Sequence, residues 1–331
     1  MYTMRFDLRV PGKTPAEIAD QHRAVIEMSA WADDKGCAVI GLSEHHAAED
    51  GYSPSPLVLA AAVAAVTRNT TILIGAALLP MYAPVRLAED MITLDHLSRG
   101  RVRYIFGIGY RPVEYELYGL DFAQRGAIAD ARLAKLLQTL DEAGVAQHMP
   151  RVTPPPFAPL LSRISWGGAT PAAARRAGRN GLGFYAQTDA PGLREAYTEA
   201  ARAAGHEPGA CVLPSADIPG IVFVHPDVDR GWRELGDSLL ADASAYARWN
   251  RHTQHSTISL SQGQTVDALR AERRAHRVLG VAEAAEMALQ WGRLPLSPLC
   301  GGLPPERAWP YLRRVVDEVM PAIAAAKTQR T

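Results

Sequence analysis

The chain has 331 residues, 47% of them hydrophobic and 21% charged, and its 35 basic residues balance 35 acidic ones. That apolar content excludes intrinsic disorder, and the zero net charge argues against a nucleic-acid or acidic-membrane binder. Cys37, Cys211 and Cys300 are too few and too scattered for a disulfide framework or a structural zinc site. No apolar run reaches the roughly eighteen residues that span a bilayer. Met1 leads straight into a strand-like segment without a signal-peptide pattern, so a cytoplasmic globular protein is expected. Lysine is confined to Lys13, Lys35, Lys135 and Lys327, which reads as the codon effect of a GC-rich genome.

Short apolar runs alternate with longer amphipathic segments. Residues 5–10 read as a strand, and Thr14 caps a helix to about Asp34, with Pro15 at its first position and Glu17 closing a capping box. Residues 36–43, 71–79 and 101–108 are strands two to four, each a continuous apolar run suited to a parallel sheet buried on both faces. Helices are expected at 57–66, 85–97 and 125–140. The second half keeps the rhythm less cleanly. Proline-rich residues 141–162 form an irregular insertion. Strands follow at 162–165, 182–186, 218–224 and 294–299, with helices at 171–178, 192–204, on to about 249, around 281–291 and at 305–325. Residues 250–265 are polar and aperiodic, a second insertion and a candidate lid. The sum is one α/β domain over 1–331, a (β/α)8 TIM barrel with insertions at its C-terminal mouth. Such a barrel takes about 250 residues and leaves roughly 80 for the insertions.

In a barrel the chemistry sits where strands end and βα loops begin. Strand two ends in Ser43-Glu44-His45-His46. Adjacent histidines project to opposite sides and are poorly placed to share a metal. Either one faces the mouth as a proton donor, its tautomer fixed by Glu44 or a backbone carbonyl, or the pair is a surface loop without a role. Strand three ends in Gly75-Ala76-Ala77, small residues that admit a flat ligand or simply pack tightly. Strand four ends in Gly107-Ile108-Gly109-Tyr110-Arg111. These glycines lack the third member of a dinucleotide fingerprint and read as room for a ligand, with Tyr110 or Arg111 reaching over the mouth. Strand five ends in Trp166-Gly167-Gly168-Ala169-Thr170 before Pro171, which is either an anion site, phosphate being its commonest occupant, or an ordinary N-cap at Thr170. Arg125 is a positive partner for that anion or a solvated helix-start arginine. His252 and His255 read as solvent-exposed, no metal site is expected, and nucleophile-elbow, CxxC, HExxH and P-loop motifs are absent.

Between residues 43 and 119 the stretches SEHH, SPSPLVLAAAVAAVTRNTTILIGAALLP, PVRLAEDMITLDHLSRGR and FGIGYRPVEYELYG together resemble the bacterial luciferase-like family of flavin-dependent monooxygenases. SWGGATPAAARRAGRNGLGFYAQ, and LCGGLPPE followed by VMPAI, extend the resemblance over nearly the whole chain. The resemblance implies reduced FMN at the mouth of a (β/α)8 barrel, with His45 near the reactive edge of the ring and Glu44 and His46 beside it. It also implies a non-prolyl cis peptide between Gly75 and Ala76 against the ring, Tyr110 in contact with it, and Arg125, Gly168, Ala169 and Thr170 at the phosphate. Oxygen chemistry on a small organic substrate, a separate flavin reductase and a homodimer through the helices after strands two and three complete the expectation. The chain departs from the family at Ala83, where histidine is common, and in a short segment between residues 140 and 154. The arginine-rich composition keeps open a deazaflavin (coenzyme F-420) enzyme of hydride transfer. A non-catalytic flavin-binding partner subunit is the rival from another class.

Overall fold

The computed structural model describes residues 1–141, 151–215, 218–250 and 260–328. From the N-terminus run β1 (Tyr2–Phe6), α1 (Pro15–Asp33), β2 (Cys37–Leu42), α2 (Pro56–Val66), β3 (Thr71–Leu78), α3 (Pro84–Ser98), β4 (Val102–Gly107), α4 (Pro112–Leu117) and α5 (Arg125–Leu140). Next come β5 (Ile164–Gly168), α6 (Pro171–Arg179), β6 (Gly183–Ala186), α7 (Leu193–Ala203), β7 (Cys211–Val212), β8 (Ile221–Val224) and α8 (Val228–Trp249). The chain closes with α9 (Val266–Glu272), β9 (His276–Leu279), α10 (Val281–Trp291), β10 (Leu294–Leu296), α11 (Pro305–Arg314) and α12 (Met320–Thr328). Eight strands, β1 to β7 and β10, belong to one parallel set with helices between them, the α/β pattern that the alternating sequence predicts. No described helix is long and apolar enough to cross a membrane.

Contacts divide the chain into two units, one of Met1–Gly41, Glu49–Tyr52 and Pro214–Thr331, the other of Leu42–Ala48 and Ser53–Leu213. In the first unit β10, β1 and β2 are neighbours, with Met4 opposite Leu296. The capping box predicted for α1 is present. The Thr14 amide donates to Glu17 Oε2 at 2.8 Å and the Glu17 amide to Thr14 Oγ1 at 3.4 Å. Strand β1 lies earlier than the expected 5–10, because Leu8 turns to a φ of 56° and ends the extended run.

The seventh strand needs correction. Residues 221–224 are extended as expected, but they pair with His276–Leu279 in a separate two-stranded sheet. The seventh member of the parallel set is Cys211–Val212, which pairs with Phe184 and Tyr185. Two residues are too few to show a period, and the four-residue β9 was missed for the same reason. The predicted helix 305–325 is present and contains a π-helical turn at Val315–Val319. The lid reading of 250–265, His252 and His255 fall largely on 251–259, and part of the proline-rich insertion on 142–150, outside the described residues.

In the second unit β3, β4, β5, β6 and β7 are parallel neighbours in that order. Their inward residues fill the core without solvent exposure: Ile74, Phe106, Trp166 and Phe184 each lie at 0%. Helices α6 and α7 pack so closely that a Cβ on Gly178 would lie 2.7 Å from the Ala201 amide nitrogen. Gly178→Ala is therefore expected to lower stability by about 1–3 kcal/mol. Gly280→Ala, where a Cβ meets nothing within 4 Å and only the N-cap preference of α10 is lost, is expected to cost no more than about 1 kcal/mol. Denaturant titration of both checks this, and equal midpoints would contradict the packing account.

Candidate active site

Three neighbouring strands of the second unit end in small residues. The Gly75–Ala76 peptide is cis, and the β3–β4 register shifts between Gly75 and Ala77. Across the ladder a Cβ on Gly107 would sit 3.5 Å from that of Ala76, so the two strand ends present a low surface there. Gly75, Ala76, Gly109 and Tyr110 are all half-buried rather than sealed in the core. Gly109 takes a φ of 73°, a turn that a side chain would resist.

Beside these ends His45 is held by a residue that sequence reasoning missed. Its Nδ1 donates to Glu114 Oε1 at 2.8 Å. The same oxygen accepts the His46 amide at 3.0 Å and Arg111 Nη1 at 3.4 Å. Arg111 also donates to the carbonyls of His46 and Ala47, at 2.6 and 3.2 Å. Burial alone would raise the Glu114 pKa, but the His45 hydrogen bond and charge, the His46 amide and Arg111 outweigh it and hold the carboxyl below its ordinary value. With Nδ1 committed to a carboxylate, His45 presents Nε2 for proton transfer, facing the Tyr110 hydroxyl at 3.5 Å. The two rings meet edge to face, with centroids 5.4 Å apart.

Glu44 does not fix His45. Its Oε1 accepts from His46 Nε2 at 2.6 Å, and its Oε2 accepts from the Leu78 amide at 3.2 Å and the Tyr82 hydroxyl at 2.7 Å. His46 Nδ1 in turn faces the Tyr118 hydroxyl at 3.3 Å. In an extended segment residues two apart share a side, so Glu44 and His46 pair while His45 points away to α4. Glu44 and His46 thus tie the strand-two loop to the end of β3. Glu114 sits on a six-residue helix, too short for a periodic signal. Its only trace in the sequence is an acid shortly after the glycines of strand four.

At the β5–α6 junction Thr170 caps the helix, its Oγ1 accepting the Ala173 amide at 3.3 Å. A Cβ on Gly168 would come within 2.5 Å of the Ala173 Cβ, and one on Gly167 within 3.0 Å of Ile105 Cγ2. Gly168 therefore needs glycine, and at Gly167 a side chain would fit only if Ile105 gave way. Gly168 and Ala169 are half-buried and Thr170 is exposed. Arg125 donates to the Phe122 carbonyl at 2.9 Å and lies over the Phe122 ring at 4.2 Å. A second arginine, not foreseen, links the start of α5 to α6. Arg176 pairs through two nitrogens with Asp130, at 2.6 and 3.0 Å, and donates to the Gly126 carbonyl at 3.3 Å. Its guanidinium lies 5.2 Å from the centre of the Trp166 ring. The arrangement offers a low surface for a flat group, a helix N-terminus for an anion and a carboxylate-held histidine for proton transfer.

The sequence model of the family described as luciferase-like monooxygenase matches residues 4–292. Monooxygenase RslO1 from Streptomyces bottropensis superposes with a TM-score of 0.73 at 24% identity, over 97% of this chain and 99% of that one. The oxygenating constituent of 3,6-diketocamphane monooxygenase of Pseudomonas putida, solved with FMN, gives 0.66 at 18% identity over 98% and 99% of the two chains. An F420-dependent secondary alcohol dehydrogenase gives 0.59 at 14% identity over 93% and 98%. In sequence, the alkanal monooxygenase alpha chain of Photorhabdus luminescens is 29% identical over 108 residues, 33% of this chain and 30% of that one. The chain spans about a third of the length of the first curated relatives that it matches. The structural likeness identifies the fold as a (β/α)8 barrel, as the sequence predicted.

A depressed carboxyl pKa in the folded state contributes stability that is fully present above the unfolded value and is lost as pH falls through the folded one. Glu114→Gln keeps the shape and removes the charge. Its stability deficit relative to the parent chain is expected to be largest near neutral pH and to shrink as pH drops below the ordinary carboxylate range. Denaturant titrations across pH check this, and a deficit independent of pH would contradict the ion-pair account.

Proposed function

The chain belongs to the luciferase-like monooxygenase family, and on that premise we propose that it is a cytoplasmic flavin-dependent oxidoreductase that uses reduced FMN and molecular oxygen on a small organic substrate. The observation that carries the reading is the His45–Glu114 pair at the glycine-lined ends of β3 and β4. The residues present fit a flavin: Gly75, Ala76, Gly107, Gly109 and Tyr110 would take the flat ring. The backbone of Gly167, Gly168, Ala169 and Thr170, with Arg125, would take the phosphate at the α6 N-terminus. Bound there, the flavin supplies the redox chemistry with oxygen that side chains lack.

The chain's own residues supply the proton chemistry. Glu114 holds one tautomer of His45 and stabilises its imidazolium, so that Nε2 can give or take a proton without the ring turning. Tyr110 shares that proton through its hydroxyl. Glu44 and His46 position the loop and act through its geometry rather than on the reacting atoms. The reductant is proposed to arrive as free reduced flavin from a separate reductase. Helices α2 and α3 are proposed as the homodimer surface, which the exposed Val58, Val66, Val85 and Leu97 support.

Coenzyme F-420 is the second reading, favoured by the likeness to the F420-dependent alcohol dehydrogenase. It would draw on a basic mouth for the coenzyme's anionic tail, for which Arg111, after the glycines of strand four, is placed in sequence. Arg111 is instead 8% exposed and engaged with Glu114 and two backbone carbonyls, which favours FMN. A non-catalytic partner subunit would have no use for a buried carboxylate aimed at His45.

Anaerobic titration with reduced FMN and with reduced coenzyme F-420 decides between the cofactors. FMN is expected to bind at least about tenfold more tightly, a difference of about 1.4 kcal/mol; preference for the deazaflavin would overturn the reading. Thr170→Asp, which keeps an N-cap but sets a negative charge at the anion end, is expected to weaken FMN by at least about tenfold and to leave riboflavin unchanged. His45→Ala is expected to retain FMN while turnover falls by about 10²–10⁴-fold. Full turnover in that variant would remove His45 from the chemistry.

A further inference from the structure

The first unit holds a second buried group of ionisable side chains. Asp242 from α8, His276 from β9 and Cys300, just after β10, are 1%, 1% and 0% exposed, and one ligand atom from each lies within 4.8 Å of the others. We propose that these three residues form a closed structural site for a divalent transition-metal ion, with zinc as its probe. Carboxylate, imidazole and thiolate are the ligand set that zinc accepts.

The surroundings fit a cation better than they fit an apolar core. Asp7, Asp50 and Asp242 lie against Arg5 and Arg9; the side chains of Asp7, Asp242 and Arg9 are buried, while Arg5 and Asp50 are partly exposed. Arg9 Nε donates to Asp242 Oδ1 at 3.1 Å, which turns Oδ2 towards His276 Nε2 at 2.8 Å. A carboxylate held through one oxygen by a guanidinium, with the other oxygen aimed inward, is how metal ligands are oriented from behind. Five buried atoms in and around the group make no hydrogen bond: Asp7 Oδ2, Asp50 Oδ1, His276 Nδ1, Arg5 Nε and Arg9 Nη2. Three protein ligands at bond lengths of about 2.0–2.3 Å stand roughly 3.3–3.8 Å apart. Loading therefore asks for a contraction of about 1 Å at the widest separation. Binding releases the thiol proton of Cys300 to solvent, and where Nε2 takes the metal, His276 binds as the neutral imidazole with its one proton on Nδ1.

The test is independent of flavin and of turnover. The full chain is stripped with a chelator and titrated with Zn²⁺ and, separately, with Co²⁺. One equivalent is expected to bind, the cobalt form to show thiolate-to-metal charge-transfer absorption in the near ultraviolet, and zinc to raise the melting temperature. Cys300→Ser is expected to lose the charge-transfer band, and His276→Gln to weaken binding by at least about tenfold, with far-ultraviolet circular dichroism verifying that each variant folds. X-ray absorption of the unmutated zinc form, expected to show one sulfur neighbour, keeps the test decisive if a variant fails to fold. No stoichiometric binding, a metal shell without sulfur, or undiminished affinity in Cys300→Ser would overturn the proposal and leave Asp242 and His276 as a hydrogen-bonded pair that holds a proton.

Discussion

The carboxylate of Glu114 is the point on which the second unit's chemistry turns. It has no exposed side-chain surface, yet it carries a full charge, and one of its oxygens gathers the His45 ring, the His46 amide and Arg111. Removing one partner of a buried pair of this kind typically costs about 3–5 kcal/mol, because the charge left behind has no water to solvate it. The strand-two loop, the glycine turn after β4 and the short helix α4 are therefore held to one geometry by electrostatics. Six residues of helix would not hold themselves.

That constraint separates two histidines which look equivalent in the sequence. His45 and His46 are adjacent and each has a carboxylate, but the partners differ in kind. Glu44 is local, two residues away, and spends its second oxygen on the Leu78 amide and Tyr82, so His46 belongs to the scaffold. Glu114 comes from another element and carries Arg111 with it, so His45 is oriented from behind while its Nε2 stays turned to Tyr110. A proton-transfer role needs a ring that is held at one nitrogen and presented at the other. Both rings are held by a carboxylate at one nitrogen and face a tyrosine hydroxyl at the other, so what sets His45 apart is its partner Tyr110, which directly follows the glycine turn after β4.

Much of the fold was legible because long apolar strands and capped helices carry their own period. Strands three and four and helices α1, α3 and α5 fall close to their expected ranges. The elements that were missed, β7, β9, α4 and α9, are short, of two to seven residues, and lack the apolar runs that mark the short strands that were found. The same limit hid part of the site. Strand ends built from glycine announce close backbone approach, and at Gly167 and Gly168 the structure shows it. Glu114, Arg176 and Asp130 could not be read from the sequence, because an ion pair between residues about fifty or seventy positions apart leaves no local pattern. The sequence left open which of the two histidines Glu44 holds, and the structure pairs it with His46.

The anion end shows how a structural cap and a ligand site can be one object. Thr170 does what an N-cap does, satisfying the Ala173 amide, and this would be the whole account if the preceding residues were ordinary. They are not. Gly168 admits no Cβ beside Ala173, and Gly167 scarcely one beside Ile105. A helix can be capped without such crowding, since a threonine and a proline suffice. Close approach at the two glycines brings the α6 N-terminus hard against the end of β5, and Arg176 clamps it there by pairing with Asp130 and reaching the start of α5 at Gly126. Because Asp130 balances that guanidinium, Arg176 contributes position rather than net charge. What attracts an anion is then the helix terminus, with Arg125 as the nearest uncompensated cation in the proposed set. Affinity for the phosphate is accordingly expected to come from backbone geometry first and side-chain charge second.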